Sequence, residues 1–373
     1  MNKKRVIVTV GTRPEVIKMA PLVMELRKAR DFQVTLVSTS QHREMLDQAL
    51  AVFRLEPDFD LDIMRPNQSL ADSTARALRG MGRVLQENHP DLLLVQGDTN
   101  TVLAGALAAH YHKIPVGHVE AGLRTDDPYL PFPEEMNRRL TSQLTRLHFA
   151  PTRRAADNLL REGIPEDRVF VTGNTVIDAL YWTEREYPDA LPRVAREVLE
   201  RGNRYLLVTA HRRESLDGDL LEMAKALGEI VSSHPEIEII YPVHLNPKVQ
   251  SVMKEVLGGR ERAHLIPPVS YPEIVQLMRN CYFILTDSGG IQEEAPAFGK
   301  PVLVMREVTE RPEAVEAGVA RLAGVTKEGI LRAASELLED PGEYRRRAHK
   351  ANPFGDGKAC QRIAGEVTRF LGR

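Results

Sequence analysis

Short apolar runs alternate with longer amphipathic stretches along the first half of the chain. The apolar runs lie at 5–10, 34–38, 92–95, 115–119, 147–150 and 169–171, and helical patterns at 14–29, 70–87 and 101–112 lie between them. Short, continuous apolar runs are typical of strands buried on both faces, and intervening helices make such strands parallel. The pattern therefore predicts a doubly wound sheet covered by helices on both faces.

The same alternation restarts in the second half of the chain. Its apolar runs lie at 205–209, 237–242, 263–266, 282–286, 301–305 and 320–322. The predicted fold class is α/β, with two Rossmann-like doubly wound parallel-sheet domains facing a central cleft. Open α/β sheets bind ligands outside the carboxyl ends of their strands, so we expect the functional residues there.

The domain boundaries follow from the gap between the two sets of strands. We expect an N-terminal domain over 1–172 and a second Rossmann-like domain over 173–355, with the boundary near Gly173 and a hinge within 173–203. Residues 356–373 have the pattern of a final helix, which we expect to cross back onto the first domain.

Composition and charge exclude several classes of function. With 373 residues and 42% hydrophobic content, the chain is an ordinary globular protein of two domains. Its net charge of −2 gives no general attraction for nucleic acid or a membrane, so any anion site must be local. Two cysteines indicate neither a metal cluster nor a disulfide framework. Because the chain lacks a membrane-length apolar run and a signal core, we expect a cytoplasmic protein.

A glycine turn at 281–295 is the strongest pointer to a ligand. The segment reads CYFILTDSGGIQEEA, a buried strand that passes through Ser288, Gly289 and Gly290 into a helix. Backbone N–H groups at a helix start, a serine hydroxyl and close backbone approach suit a phosphate. The glutamates one turn later suit a sugar hydroxyl, and together these groups indicate a nucleotide. A tight connection with an N-cap is the alternative.

Acidic residues follow two strands of the first domain and begin a helix. These motifs are QGDT at 96–99, GHVEAGLR at 117–124 and PFPEEMNR at 131–138. The alternative for Asp98 is that it only caps the following helix. Glutamates in a first helical turn often only complement the helix dipole. Glu120 is a poor capping residue. Carboxylates crowded in a cleft raise one another's pKa, which suits acid–base chemistry at a carbon–hydrogen bond or a leaving oxygen.

Basic residues at other predicted strand ends complement these carboxylates. Residues 11–18 read GTRPEVIK, in which Arg13 and Lys18 can supply charge to a diphosphate, although a solvated helix start is the alternative. The dinucleotide and phosphate-loop glycine patterns are absent. His211 follows the first strand of the second domain beside two arginines, and His244 is a weaker pointer of the same sort. The HRRE segment lacks the second histidine of a zinc site, so no metal is expected.

In this combination the chain resembles the non-hydrolysing UDP-N-acetylglucosamine 2-epimerases of bacteria along its whole length. The motifs that carry the resemblance are GTRPE, QHR, QGDT, HVEAGLR, PEE with NR, HRRE, residues 287–296, TERPEA and NPFGDG. The resemblance implies a GT-B-like pair of Rossmann domains, no cofactor, and a homodimer. It also implies reversible conversion of UDP-GlcNAc to UDP-ManNAc, through elimination of UDP to 2-acetamidoglucal and re-addition, for cell-surface polysaccharide.

The resemblance also implies roles for individual residues. Asp98, Glu120 and Glu134 would form the acid–base group, and His211 would assist the departing diphosphate. The substrate-binding residues would be Arg13, Lys18, Val269, Ile274, Ser288, Gly289, Gly290, Glu294 and Arg311. A second nucleotide-sugar site, found in many members, would use Gln41, His42 and His244. Which carboxylate removes the proton stays open.

Some positions depart from the family pattern. Ser215 replaces a common Asn, Val319 a frequent Thr, and Ile274 a Phe that often contacts uracil. Glu44 and Asn67 stand where activated members are expected to have Gln and Arg. The remaining alternatives are a hydrolysing epimerase that releases UDP and ManNAc, a GT-B glycosyltransferase, and a non-catalytic nucleotide-sugar sensor.

Overall fold

The chain divides into two compact units. A computed structural model describes residues 3–40, 43–125, 127–210 and 219–372. Unit 1 comprises Met1–Trp182 and Phe354–Arg373, and unit 2 comprises Thr183–Pro353. By this division, Gly173 lies within unit 1, and the final helix belongs to unit 1 as well.

Unit 1 is built on a parallel sheet of seven strands in the order β3-β2-β1-β4-β5-β6-β7. The strands are β1 (Lys4–Val10), β2 (Phe32–Ser38), β3 (Phe59–Asp60), β4 (Leu92–Gln96), β5 (Val116–Val119), β6 (Leu147–Ala150) and β7 (Val169–Val171). The helices are α1 (Arg13–Lys28), α2 (Arg43–Val52), α3 (Leu70–Asn88), α4 (Asn100–Tyr111), α5 (Glu134–Leu144), α6 (Arg153–Arg161), α7 (Thr175–Glu186, which extends into unit 2) and the last helix, α16 (Ala359–Leu371).

Unit 2 is built on a parallel sheet of six strands in the order β10-β9-β8-β11-β12-β13. The strands are β8 (Arg204–Thr209), β9 (Ile237–Pro242), β10 (Ala263–Ile266), β11 (Ile284–Thr286), β12 (Val302–Val304) and β13 (Ala320–Leu322). The helices are α8 (Arg193–Glu200), α9 (Asp219–Ser233), α10 (Pro247–Leu257), α11 (Tyr271–Asn280), α12 (Gly289–Glu294), α13 (Pro312–Glu316), α14 (Lys327–Glu339) and α15 (Pro341–Ala348).

The predicted fold class, two doubly wound parallel-sheet α/β units, is confirmed. Central strands are mostly apolar because helices cover both faces; every residue of β4, for example, is buried. Each strand order reverses once, between β1 and β4 in unit 1 and between β8 and β11 in unit 2. Such a reversal opens a crevice at the carboxyl ends of the two strands. No helix in the described ranges has both the length and the apolar composition needed to cross a membrane.

The return of the chain to unit 1 is fixed by a side-chain cap. The Asp178 carboxylate on α7 accepts hydrogen bonds from the backbone N–H groups of Cys360 at 2.9 Å and Ala359 at 3.1 Å. These are unpaired donors at the start of α16, and a carboxylate there also complements the helix dipole. Helix α16 packs against α1. Helix α1 near the amino terminus therefore packs against residues 359–371.

Candidate active site

The turn after β1 places two cationic side chains at the carboxyl edge of the sheet in unit 1. A Cβ atom on Gly11 would lie 2.4 Å from Thr101 Oγ1 and 2.5 Å from Thr39 Oγ1, so only glycine fits here. Helix α1 then begins with Arg13, which is half-buried, and Lys18 follows one turn later. Among the residues that the structure describes, none forms an ion pair with Arg13. A cation at a helix start lacks support from the helix dipole, so its placement favours an external anion.

Glu120, directly after β5, is held by three side chains from other parts of unit 1. The Lys18 ammonium lies 2.6 and 2.7 Å from its two carboxylate oxygens. Gln96 at the end of β4 and Asn174 before α7 each donate an amide hydrogen bond to it, the latter at 3.3 Å. The residue is only 7% exposed, and its backbone has φ 63°, an uncommon value for glutamate. A strained backbone conformation persists only where the surrounding structure holds it, and such conformations are concentrated at active sites.

Asp98 lies on the neighbouring turn, after β4. The Arg138 guanidinium contacts its carboxylate through two nitrogens, at 2.9 and 2.7 Å. Asn137, which is buried, donates to the Asp98 carbonyl at 2.9 Å. Both partners belong to α5, so the motif that contains Glu134 is attached directly to the turn that contains Asp98.

The two consecutive glutamates that begin α5 differ in surroundings. Glu135 is fully buried and accepts hydrogen bonds from Arg139 at 2.7 Å and from the Thr125 backbone at 3.1 Å. Glu134 is half-buried, and its carboxylate has no hydrogen bond or ion pair with any residue in the described ranges. Glu135 thus stabilises the loop before α5, whereas Glu134 keeps an available carboxylate.

Two histidines beneath this edge are buried and neutral, which the sequence patterns did not predict. His118 on β5 contacts the Gly97 carbonyl through Nε2 at 2.7 Å, and burial lowers its pKa to about 4. His148 is its register neighbour on β6, and burial lowers the pKa of His148 to about 3. Because burial disfavours the charged ring, both lack a positive charge at neutral pH. His118 thus supports the turn that carries Asp98 without adding charge to it.

The low pKa of His148 predicts that it makes the protein sensitive to acid. Both folded and unfolded forms bear a neutral ring well above pH 6.5, but below it the unfolded chain binds the proton first. Stability is therefore lost as the pH falls from 6.5 towards 3. Between pH 7 and pH 5 this histidine should remove about 2 kcal/mol of unfolding free energy. In urea unfolding of His148→Phe, the free energy of unfolding should change between pH 7 and pH 5 by that much less than in the wild type. An equal change in both proteins would contradict the prediction.

In unit 2, the Ser288–Gly290 turn lies at the crevice where the strand order reverses. The Ser288 backbone N–H donates to Thr286 Oγ1 at 2.9 Å, and Thr286 Oγ1 lies 2.6 Å from Thr209 Oγ1, which fixes the ends of β11 and β8 together. The Ser288 hydroxyl makes no capping bond to α12. A Cβ atom on Gly290 would lie no closer than 3.6 Å to the protein. A side chain at this position would make ordinary van der Waals contacts, so internal packing does not require this glycine.

Three charged residues next to this turn are already engaged within unit 2. Glu294 is 8% exposed and accepts a hydrogen bond from the Tyr271 hydroxyl at 3.1 Å. Arg311 forms an ion pair with Glu293, which is 2% exposed. Glu293 and Glu294 thus point to different partners, and Glu293 orients Arg311 in the loop before α13.

The other predicted site residues within the described ranges are more exposed. Val269 and Ile274 are half-buried at the start of α11. His244 is exposed after β9, and its Nδ1 accepts a hydrogen bond from the Asn246 backbone at 3.1 Å. His211, Gln41 and His42 lie outside the described residues.

The structure thus brings predicted residues together within each unit. Lys18 contacts Glu120, and α5 joins Glu134 to the Asp98 turn, whereas Gln96 and Asn174 are site residues that the sequence did not reveal. A model of the UDP-N-acetylglucosamine 2-epimerase family matches residues 24–368. The chain belongs to this family.

Known members of the epimerase family resemble the chain along its whole length. The UDP-N-acetylglucosamine 2-epimerase of Yersinia pestis is 52% identical over 364 residues, which cover 96% of this chain and 97% of that protein. The protein of that name from Bacillus subtilis is 49% identical, and the match covers 100% of this chain and 97% of that protein. The crystal structure of the UDP-GlcNAc 2-epimerase from Neisseria meningitidis bound to UDP-GlcNAc has a TM-score of 0.88 and 44% identity, and covers 98% of this chain and 100% of that one.

Proposed function

We propose that this member of the family interconverts UDP-GlcNAc and UDP-ManNAc by eliminating and re-adding UDP. The observation that carries the proposal is Glu120, a buried carboxylate held by Lys18 and two amides, which follows the strand next to the one that precedes Asp98. The relative from Neisseria meningitidis binds UDP-GlcNAc, which supports the choice of substrate. We further propose a cytoplasmic homodimer that supplies ManNAc units for cell-surface polysaccharide.

The proposed reaction is an elimination followed by its reverse on the other face of the sugar. A carboxylate takes the proton from carbon 2, the electron pair of that bond forms the double bond between carbons 1 and 2, and UDP leaves with the electron pair of the carbon 1–oxygen bond. The enzyme then holds UDP and 2-acetamidoglucal. A diphosphate oxygen re-forms the bond to carbon 1, and carbon 2 receives a proton on the opposite face.

Asp98, Glu120 and Glu134 form the acid–base group in this proposal. The proton on carbon 2 is very weakly acidic, so its removal depends on departure of the leaving group in the same step. Glu120 is held in one orientation, which favours proton transfer at a fixed atom. Glu134 has no partner within the described ranges, so it is free to contact the sugar. No redox cofactor is required because neither the elimination nor the re-addition of UDP transfers a hydride.

The remaining residues retain UDP between the two steps. We assign Arg13 and Lys18 to the diphosphate, and the turn at Ser288, Gly289 and Gly290 to a phosphate. Glu294 is assigned to the ribose and Arg311 to the surroundings of the phosphates. Positive charge and backbone N–H donors stabilise the negative charge that develops as UDP departs. In addition, Val269 and Ile274 are assigned to uracil and His211 to the departing diphosphate.

Incubation with UDP-GlcNAc in deuterated water tests the proposal. We expect UDP-ManNAc to appear with deuterium at carbon 2, and deuterium to enter the remaining UDP-GlcNAc as well, because protonation on either face follows elimination. Proton NMR would report both. Release of free ManNAc with UDP would instead show the hydrolysing reaction. Product without deuterium, turnover only with an added acceptor sugar, or binding without turnover would each contradict the proposal.

A further inference from the structure

Glu15 is a buried carboxylate that none of the proposed steps uses. It is the third residue of α1 and is 2% exposed. Its Oε2 accepts hydrogen bonds from the Gly11 backbone at 3.0 Å and the Thr12 hydroxyl at 2.7 Å. Its Oε1 accepts one from the Thr99 hydroxyl at 2.8 Å. The first two bonds lie within the turn after β1, whereas the third crosses to the turn after β4.

The bond to Thr99 crosses the crevice where the strand order of unit 1 reverses. Strands β1 and β4 are neighbours on either side of that reversal. Thr12 is the N-cap residue of α1 and Thr99 that of α4, so a single carboxylate joins the starts of two helices. Arg13 follows one of these caps and Asp98 precedes the other. The spacing of the two turns therefore sets the spacing of residues in the proposed acid–base and diphosphate sites.

Simple helix capping accounts for only part of this arrangement. A glutamate at the third position of a helix often bonds back to the residues before the helix, as Oε2 does here. Thr99, however, makes no side-chain cap to α4, although threonine at this position usually does. Its hydroxyl is used for Glu15 instead. Burial also raises the pKa of Glu15 to about 7, and the hydrogen bonds from Thr12, Thr99 and Gly11 oppose that rise.

We propose that Glu15 is a positioning residue, which holds the β1–α1 and β4–α4 turns at the spacing that catalysis requires. The inference rests on the proposed function, because the distance it sets matters only if both turns act on one substrate. Misplacement of reacting groups by about 1 Å can lower a rate about a hundredfold. Loss of the Thr99 bond should therefore reduce turnover, whereas loss of a bond within one turn should not.

Three variants separate positioning from helix stability, and they leave Glu15 itself in place. Thr99→Val removes the bond between the turns, Thr99→Ser retains it, and Thr12→Val removes a comparable bond to the same carboxylate within the α1 turn. We expect kcat for UDP-GlcNAc epimerisation to fall about 10- to 100-fold in Thr99→Val. The kcat values of Thr99→Ser and Thr12→Val should stay within about threefold of the wild-type value, because the spacing of the two turns is kept. Thermal unfolding should show similar small losses for both valine variants.

The outcomes distinguish the inference from the proposed function. An active wild type together with full kcat in Thr99→Val would overturn the positioning role alone. Equal losses of kcat in Thr99→Val and Thr12→Val would also overturn it, since capping would then explain both. A wild type that does not epimerise UDP-GlcNAc would overturn the proposed function and this inference with it.

Discussion

Replacement of Glu120 by Gln is expected to lower kcat for epimerisation at least about a thousandfold, within the range found for general acid–base residues. Gln has nearly the same shape, so it can remain in the same place at the end of β5. Its amide cannot accept a proton from carbon 2, and it no longer pairs with the Lys18 charge. Binding of UDP should persist, because the residues assigned to the nucleotide in unit 2 are unchanged.

Glu162→Gln is a matched control for the loss of charge. Glu162 also accepts two hydrogen bonds from one cation, at 2.7 Å each from Arg124, yet it is not among the proposed site residues. Steady-state kinetics and deuterium incorporation measure the reaction, and calorimetric titration with UDP measures binding. We expect Glu162→Gln to keep both the epimerisation activity and the binding of UDP. Full incorporation of deuterium by Glu120→Gln would show that Glu120 is not essential.

Replacement of Gly122 by Ala is expected to destabilise the protein by more than about 4 kcal/mol, enough to prevent correct folding of unit 1. Gly122 has φ 90°, and a Cβ atom there would lie 2.1 Å from the backbone oxygen of Ala155 in α6. A backbone carbonyl within a helix cannot rotate away as a flexible side chain can. Asn158 of the same helix also donates to the Gly122 carbonyl at 2.9 Å. The close approach of α6 to this loop thus depends on the missing side chain.

Gly163→Ala separates the steric contact from the backbone conformation. Gly163 has φ 83°, close to that of Gly122, but a Cβ atom there would meet nothing within 4 Å. We expect a loss of only about 1–2 kcal/mol, the cost of a left-handed conformation for alanine. Urea unfolding of both variants gives the comparison. Similar losses at the two positions would mean that α6 shifts readily and that the contact is unimportant.

Most of the fold could be predicted because the buried strands are continuous apolar runs. All strands but one follow the predicted runs closely; the exception is β3, whose two residues, Phe59 and Asp60, are too short to form a pattern. A parallel sheet between two layers of helices requires strands that are apolar on both faces, which is a local property of the sequence. The strand order within each sheet is not local, and the patterns gave no access to it.

The candidate site could be predicted in part, since strand ends are visible in the sequence but contacts between them are not. Asp98 and Glu120 were found because they follow buried strands. The ion pair of Lys18 with Glu120 joins turns far apart in the chain and depends on the neighbouring positions of β1, β4 and β5. The different surroundings of Glu134 and Glu135 depend on the helical phase of α5, which a two-residue motif does not define.

The capping of α16 by Asp178 has a consequence for synthesis on the ribosome. Unit 2 is one continuous segment, so it can fold as soon as its own residues have emerged. Unit 1 is interrupted by that segment, and the face of α1 that packs against α16 stays uncovered until residue 371 has been made. Unit 1, whose sheet is translated first, is therefore the second unit to be completed, and it must remain unaggregated while unit 2 is produced.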